Sequence, residues 1–300
     1  MSPEDSTDRY AAAVGLVERS AAAWAAAIPD HPADDGFFGP GSVAWRLSGD
    51  QSGVIAGLRA LLLQALHPLA MAGVDQHSDW RQDPVGRLAA TTAYTTTVTF
   101  GERAAVEQAA ARVRKIHERV TGTDPVTGQP YAAGDPALLL WVHAALVDSA
   151  VAASEMFGAG LSGPDADRYI AEMAIGAELL GVPGDQVPRC GEELAAYLAR
   201  TRPDLRCTPA AGESMAYLLD PPGLDPAIAE IWADIRDGGV AALPAWAREL
   251  YGYEVAPLTP ARQNEIRQAL GVLDVVYLGE PGVLEARQRV ALRIRAARRS

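Results

Sequence analysis

A chain of 300 residues, 49% apolar and 21% charged, has enough material to bury a large core in one domain. Its formal charge of −12 works against nucleic acid, whose binding needs clustered cations to displace counterions from phosphate. The two cysteines, Cys190 and Cys207, lack metal-ligand spacing and read as two separate buried thiols in a reducing cytoplasm rather than a disulfide.

The first eight residues, Met1 to Asp8, are acidic and polar, without the basic start, apolar run or twin arginines of a secretory leader. No stretch reaches the roughly 18 uninterrupted apolar residues of a membrane span. The expectation is a cytoplasmic protein. Residues 8–28 are Ala-rich with apolar positions at helical spacing, and a loop with Pro32, Gly36, Gly39, Pro40 and Gly41 follows. A second helix starts near Asp50 and runs through Leu58, Leu61, Leu62 and Ala65 to His67-Pro68, where proline disfavours helix geometry in the preceding residue and predicts a kink or break. Asp83-Pro84 and Asp135-Pro136 read as helix starts, since Asp accepts from free backbone N–H groups and Pro at the first helical position loses nothing. The β-branched run from Thr91 to Phe100 has the propensity for a strand. Its Asp-Pro start and helical neighbours make it a helix instead. Further helices are predicted over 103–121, 136–158, 164–181, 190–201, 225–237, 260–279 and 281–298, with Pro-Gly-rich loops at 182–188, 202–212 and 220–224. No repeat and no alternation of strands with helices is visible, so the class is all-α. Six arginines between Arg287 and Arg299 read as a solvated helix end, with weak contact to an anionic surface as the alternative.

Phosphate-cradling Gly-rich loops, G-x-S-x-G elbows, H-E-x-x-H pairs and Cys clusters are all missing from the sequence. Five histidines remain. In the helix over 103–121, Val106, Ala110, Val113, His117 and Val120 are spaced four, three, four and three apart and form one apolar seam. The charged Arg103, Glu107, Arg112, Lys115, Glu118 and Arg119 largely take the other faces. An imidazole thus stands where packing prefers an aliphatic side chain, either as a hydrogen-bonded core histidine or as a metal ligand. Arg114, one turn earlier, projects toward the same region. His143 and Asp148 lie in a segment apolar nearly all round, hence buried, and need partners. They form a satisfied core pair or serve a site. His67 and His77 stand ten residues apart, a spacing that matches no metal motif, and His31 lies in a polar loop. Arg87 and Thr91, four apart, share a helix face and are either ordinary surface residues or a pair pointing into a pocket.

Several segments, in order, resemble the family of latex-clearing proteins and mpaB oxygenases. They are Asp35-Gly-Phe-Phe-Gly-Pro-Gly-Ser-Val-Ala-Trp-Arg46, Arg59-Ala-Leu-Leu-Leu-Gln-Ala-Leu-His-Pro-Leu-Ala-Met-Ala-Gly-Val74, His77-Ser-Asp-Trp80, Gly86-Arg-Leu-Ala-Ala-Thr-Thr92, Arg112-Val-Arg-Lys-Ile-His117 and Asp135-Pro-Ala-Leu-Leu-Leu-Trp-Val-His143, with a looser match over Leu243–Gly252. The resemblance implies a single multi-helix domain with a globin-like core around a haem pocket. It divides the chain into an N-terminal helical extension (1–34), an oxygenase-type catalytic domain (35–260) and C-terminal helices with a basic end (261–300). It implies haem b, iron held by His117, a cofactor contact from Arg114 and His143, and Arg87 and Thr91 as the polar pair of the reaction. A lysine that precedes the threonine in latex-clearing proteins is Ala90 here, so closure of the iron by that lysine is not expected. With a cytoplasmic location, the expected substrate is an isoprenoid, lipid or natural-product intermediate, oxidised with O₂ and electrons from an unknown donor. The competing readings are a haem-binding sensor or carrier without turnover, and a non-haem helical metal protein using His67, His77, His117 and His143.

Overall fold

The computed structural model describes residues 21–30, 32–161, 163–222, 224, 226–278 and 282–299. Helices dominate: α1 (21–26), α2 (Val43–Leu47), α3 (Gly53–Ala65), α4 (Pro68–His77), α5 (Pro84–Phe100), α6 (Arg103–His117), α7 (Pro136–Phe157), α8 (Gly163–Leu180), α9 (Gly191–Thr201), α10 (Pro209–Leu219), α11 (Pro226–Ala242), α12 (Ala245–Tyr251), α13 (Pro260–Leu278) and α14 (Val283–Ala297). The fold is all-α, as expected. Between α6 and α7 sits a small antiparallel hairpin, β1 (Thr121–Thr123) with β2 (Pro130–Ala132), in the register Thr121 to Ala132.

Local chemistry sets the boundaries. Asp135 caps α7 by accepting from the Ala137 N–H at 2.8 Å, with Pro136 at the first helical position. Pro68 ends α3, and α4 leaves at 103° to it, which is the predicted break. The threonine run in α5 is helical, and its hydroxyls find acceptors within the helix: Thr97 Oγ1 donates to the Ala93 carbonyl at 2.8 Å and Thr99 Oγ1 to the Thr95 carbonyl at 2.9 Å. The helix α6 stops at His117 rather than at 121, because the chain turns there into the hairpin, with the Val120 N–H donating to the His117 carbonyl at 3.1 Å. Helices α10 and α12, like α2 and α4, fall where no helix was predicted. The first uses the same signal as α7: Thr208 accepts from the Ala211 N–H at 3.2 Å and Pro209 follows it.

The apolar α7 is the central helix, packed along its length by α3 and flanked by α8, α9, α11 and α13. Among the described residues it is the single helix long and apolar enough to cross a bilayer unaided. Here its apolar surface goes into packing: Trp141, Ala145, Ala153 and Phe157 join Ile55, Leu58 and Leu62 of α3 in the main core. Gly238 and Gly239 let α11 approach α3 closely, since a Cβ there would meet Ile55 Cδ1 at 2.7 Å and Leu58 Cδ2 at 2.8 Å.

Three expectations are corrected. Cys190 is half-buried and Cys207 exposed, and both thiols are free, so neither is sealed in the core. Asp148 pairs not with His143 but with Arg59, because five helical residues put the two side chains on different flanks of α7. The C-terminal arginines are not all solvated. Arg287 pairs with Asp274, Arg289 with Asp30 at 2.8 Å, and Arg293 with Asp35 at 2.7 Å while stacking on Trp45, so they pin α14 to the body.

Candidate active site between four helices

The seam read from the sequence is real. Val106 and Ala110 are fully buried where α6 packs on α5 and α8, and Val113 and His117 continue the same stripe half-buried. Glu107, Arg112, Lys115, Glu118 and Arg119 are exposed. The His117 ring has no hydrogen-bond partner among the described residues, and burial lowers its pKa. It is a neutral imidazole with a free lone pair, the form that ligates iron.

Arg114, one turn earlier, crosses to α8 and donates from Nη1 to the Leu179 carbonyl. Three residues before Leu179, and so on the same face of α8, Gly176 leaves space beside the third side chain. A Cβ at Gly176 would lie 4.0 Å from Cε1 and Nδ1 of His143. His143 keeps a little accessible surface but is densely surrounded by protein, which holds its pKa down at about 4. Its ring also lacks a hydrogen-bond partner among the described residues. A bulkier residue than glycine on α8 would fill the space that the imidazole faces.

The helix α5 supplies the fourth wall. Only Gly101 and Glu102 separate it from α6, so the two pack as an antiparallel hairpin. The start of α5, with Arg87 and Thr91, therefore lies level with the end of α6, with Arg114 and His117. Thr91 is exposed. The Arg87 side chain lies outside the described residues. Tyr94, which sequence reasoning missed, stands three residues after Thr91, with its hydroxyl fully buried. The usable signal was its place on the Arg87–Thr91 stripe.

The structure separates the other histidines from this region. His77 donates from Nε2 to the Thr121 carbonyl at 3.1 Å and meets the edge of Tyr131, so it ties α4 to the hairpin. His67 stacks 6.0 Å from Trp141, whose side chain leaves α7 on the flank opposite His143. Burial, the largest influence on it, lowers the His67 pKa. His31 lies outside the described residues. No group of three or more His, Cys, Asp or Glu side chains that could hold a bare metal ion occurs among the described residues. The four-histidine cluster of the competing reading is therefore not assembled.

Arg59 was the other residue without a sequence-derived role. Its side chain is 4% exposed and donates to the Ala242 carbonyl at 2.7 Å, Ser149 Oγ at 2.7 Å and Asp148 Oδ2 at 2.6 Å, locking α3, α7 and the end of α11 together.

Residues 45–275 match the family model described as ER-bound oxygenase mpaB/B'/Rubber oxygenase, catalytic domain. The chain belongs to this family. The match covers more than half of the chain and includes all the helices that build the site, from α5 to α8. No curated protein and no solved structure matches the chain. As a member of an oxygenase family carrying its catalytic domain, the protein is placed among the oxidoreductases.

Proposed function

We propose that this oxygenase-family domain is haem b-dependent, that it holds iron through His117, and that it oxidises an apolar substrate (an isoprenoid, a lipid or a natural-product intermediate) with O₂. The observation that carries the reading is the His117 ring itself: neutral, half-buried, without a partner among the described residues, and on the wall where α6 meets α5 and α8. The donor set fits a porphyrin better than a bare ion, since a porphyrin brings its own four nitrogens and asks the protein for one imidazole. When bound, haem supplies the oxygen chemistry, and the protein supplies ligand, orientation and exclusion of water.

Each side chain has a share in that work. His117 stays deprotonated at neutral pH because its burial penalises the charged form, so its lone pair is available. Arg114 presents a guanidinium whose fork matches a carboxylate, the group a porphyrin carries on its propionates. His143, neutral and lodged against Gly176, offers a hydrogen-bonding nitrogen in a dry environment without bringing a charge into it. Arg87 and Thr91 are assigned the positive charge and hydroxyl that meet negative charge developing on the reacting oxygen atoms. The apolar stripe of Val106, Ala110 and Val113 keeps water from the helix interfaces behind the site.

Purification followed by an absorption spectrum tests this. A Soret band is expected in the native protein and is lost in His117→Ala, while substrate-dependent oxygen uptake separates an oxygenase from a sensor or carrier. A protein that takes up no haem on reconstitution ends the proposal.

A further inference from the structure

Tyr94 follows Thr91 by three residues and Arg87 by seven, so the three fall on one stripe of α5. Its hydroxyl is buried and has no partner among the described residues. An orphaned buried hydroxyl costs about 1–3 kcal/mol, and such groups are rare enough in native proteins that each one asks for a cause. Burial pushes the phenol up to about 12 against the opposing charge of Arg114, so it is protonated and can donate at any physiological pH. Arg114 is in the complementary position. Its guanidinium carries five N–H donors, and one bond, to the Leu179 carbonyl, is made. No Asp or Glu pairs with it among the described residues, although the chain as a whole is acidic, at −12. The exposed Arg114 guanidinium, which has no counter-anion among the described residues, acts electrostatically on the buried Tyr94 hydroxyl from the turn of α6 that precedes His117.

We propose that Tyr94 and Arg114 form a two-donor subsite for a carboxylate. This rests on the haem reading above only for where the carboxylate comes from: a porphyrin propionate or the acid end of a long-chain substrate presents the same two oxygens. One oxygen accepts from the phenol O–H and the other from the guanidinium, and the ion pair neutralises Arg114. Phenol-to-carboxylate bonds are charge-assisted and are the stronger class of hydrogen bond.

The test uses the haem-loaded protein and its Tyr94→Phe variant, each also loaded with haem dimethyl ester, whose carboxylates are blocked. Haem loss to excess apomyoglobin is followed by absorbance. Expected is a loss rate at least about tenfold faster for Tyr94→Phe with free-acid haem, and equal rates for the two proteins with the ester. If the carboxylate belongs to the substrate instead, haem loss is unchanged, whereas palmitate binding weakens by a similar factor and methyl palmitate binding does not. Both patterns support the subsite. Equal behaviour of acid and ester in both arms overturns it. The melting temperature of the cofactor-free variant gives a separate readout: removing an orphaned hydroxyl leaves it unchanged or raises it, while a marked fall shows that the hydroxyl is bonded inside the protein and rejects the proposal. A protein that takes up no haem refutes the cofactor assignment, and the palmitate arm still decides the subsite.

Discussion

Acid should weaken this fold through His143 well before its carboxylates begin to take up protons. The imidazole has an ordinary pKa of 6.5 in the unfolded chain and about 4 in the folded one, because burial penalises its charged form. Below pH 6.5 the unfolded state therefore binds a proton that the native state refuses, and stability falls with pH until the native ring titrates near 4. The slope in that window is about 1.4 kcal/mol per pH unit. Between pH 6.5 and 5 His143 alone thus removes roughly 2 kcal/mol from a total that for most domains lies at about 5–15 kcal/mol. His117 and His67, also lowered by burial, act in the same direction. Above pH 6.5 the contribution is flat. The measurement is urea unfolding at pH 7.5, 6.5, 5.5 and 5.0 for the native protein and for His143→Gln, which keeps a neutral polar group in the crevice and cannot titrate. Stopping at pH 5 keeps most carboxylates, with ordinary values near 4, out of the comparison. The stability gap between the two proteins should change by about 2 kcal/mol in favour of the variant across the series. Parallel curves would refute the reasoning, because they would mean that the ring accepts a proton in the native state at no cost, and hence faces water.

Two other substitutions test the scaffold. Arg59→Met leaves Asp148, Ser149 and the Ala242 carbonyl without their donor, and removing one partner of a buried ion pair costs roughly 3–5 kcal/mol; the partial exposure of Asp148, 26%, places the expected loss at the lower end. A denaturation midpoint within error of the native one would show that the network is dispensable. Gly176→Ala should raise stability by up to about 1 kcal/mol, since alanine is the better helix former and its Cβ would lie 4.0 Å from the His143 ring, an ordinary contact. A lower melting temperature would mean that the ring packs closer to α8 than 4.0 Å.

The helices that build the site were legible because their signals are local. Asp135-Pro136 announces α7 and His67-Pro68 the 103° break, and both act through the backbone of one or two residues. The four-three spacing of Val106, Ala110, Val113 and His117 was enough to put the imidazole on the packed face of α6. What the sequence hid is long-range. Arg59 looks like any helical arginine until α7 brings Asp148 and Ser149 to it across about ninety positions of chain. Asp148 seemed to belong with His143 because both interrupt one apolar run, yet a helix turns them to different flanks. Residues 118–121, which turn into the hairpin, were read as helix because Val120 continues the apolar period for one step beyond His117. The α14 arginines looked solvated because their acidic partners Asp30 and Asp35 stand more than 250 residues earlier.

Two ionisable side chains in the first two-thirds of α7, His143 and Asp148, differ in how they are compensated. A helix buried on most sides tolerates a polar group only if something compensates it. Asp148 is compensated fully within the chain, by an arginine that is itself satisfied by two further acceptors, so it belongs to the scaffold. His143 is held neutral by the same central helix and receives no compensation from any described residue. The His117 ring and the Tyr94 hydroxyl likewise lack a partner among the described residues, on α6 and α5, while the exposed Arg114 guanidinium bonds the Leu179 carbonyl of α8, the helix whose Gly176 leaves room beside His143. Buried polar atoms without a partner among the described residues also occur elsewhere, at Trp45, His67, Trp80 and Ser154, so lack of a partner does not by itself mark a site. What distinguishes His143, His117, Tyr94 and Arg114 is that they sit on adjoining helices, where the proposed cofactor would supply an acceptor for each donor and an electron-pair acceptor for the imidazole.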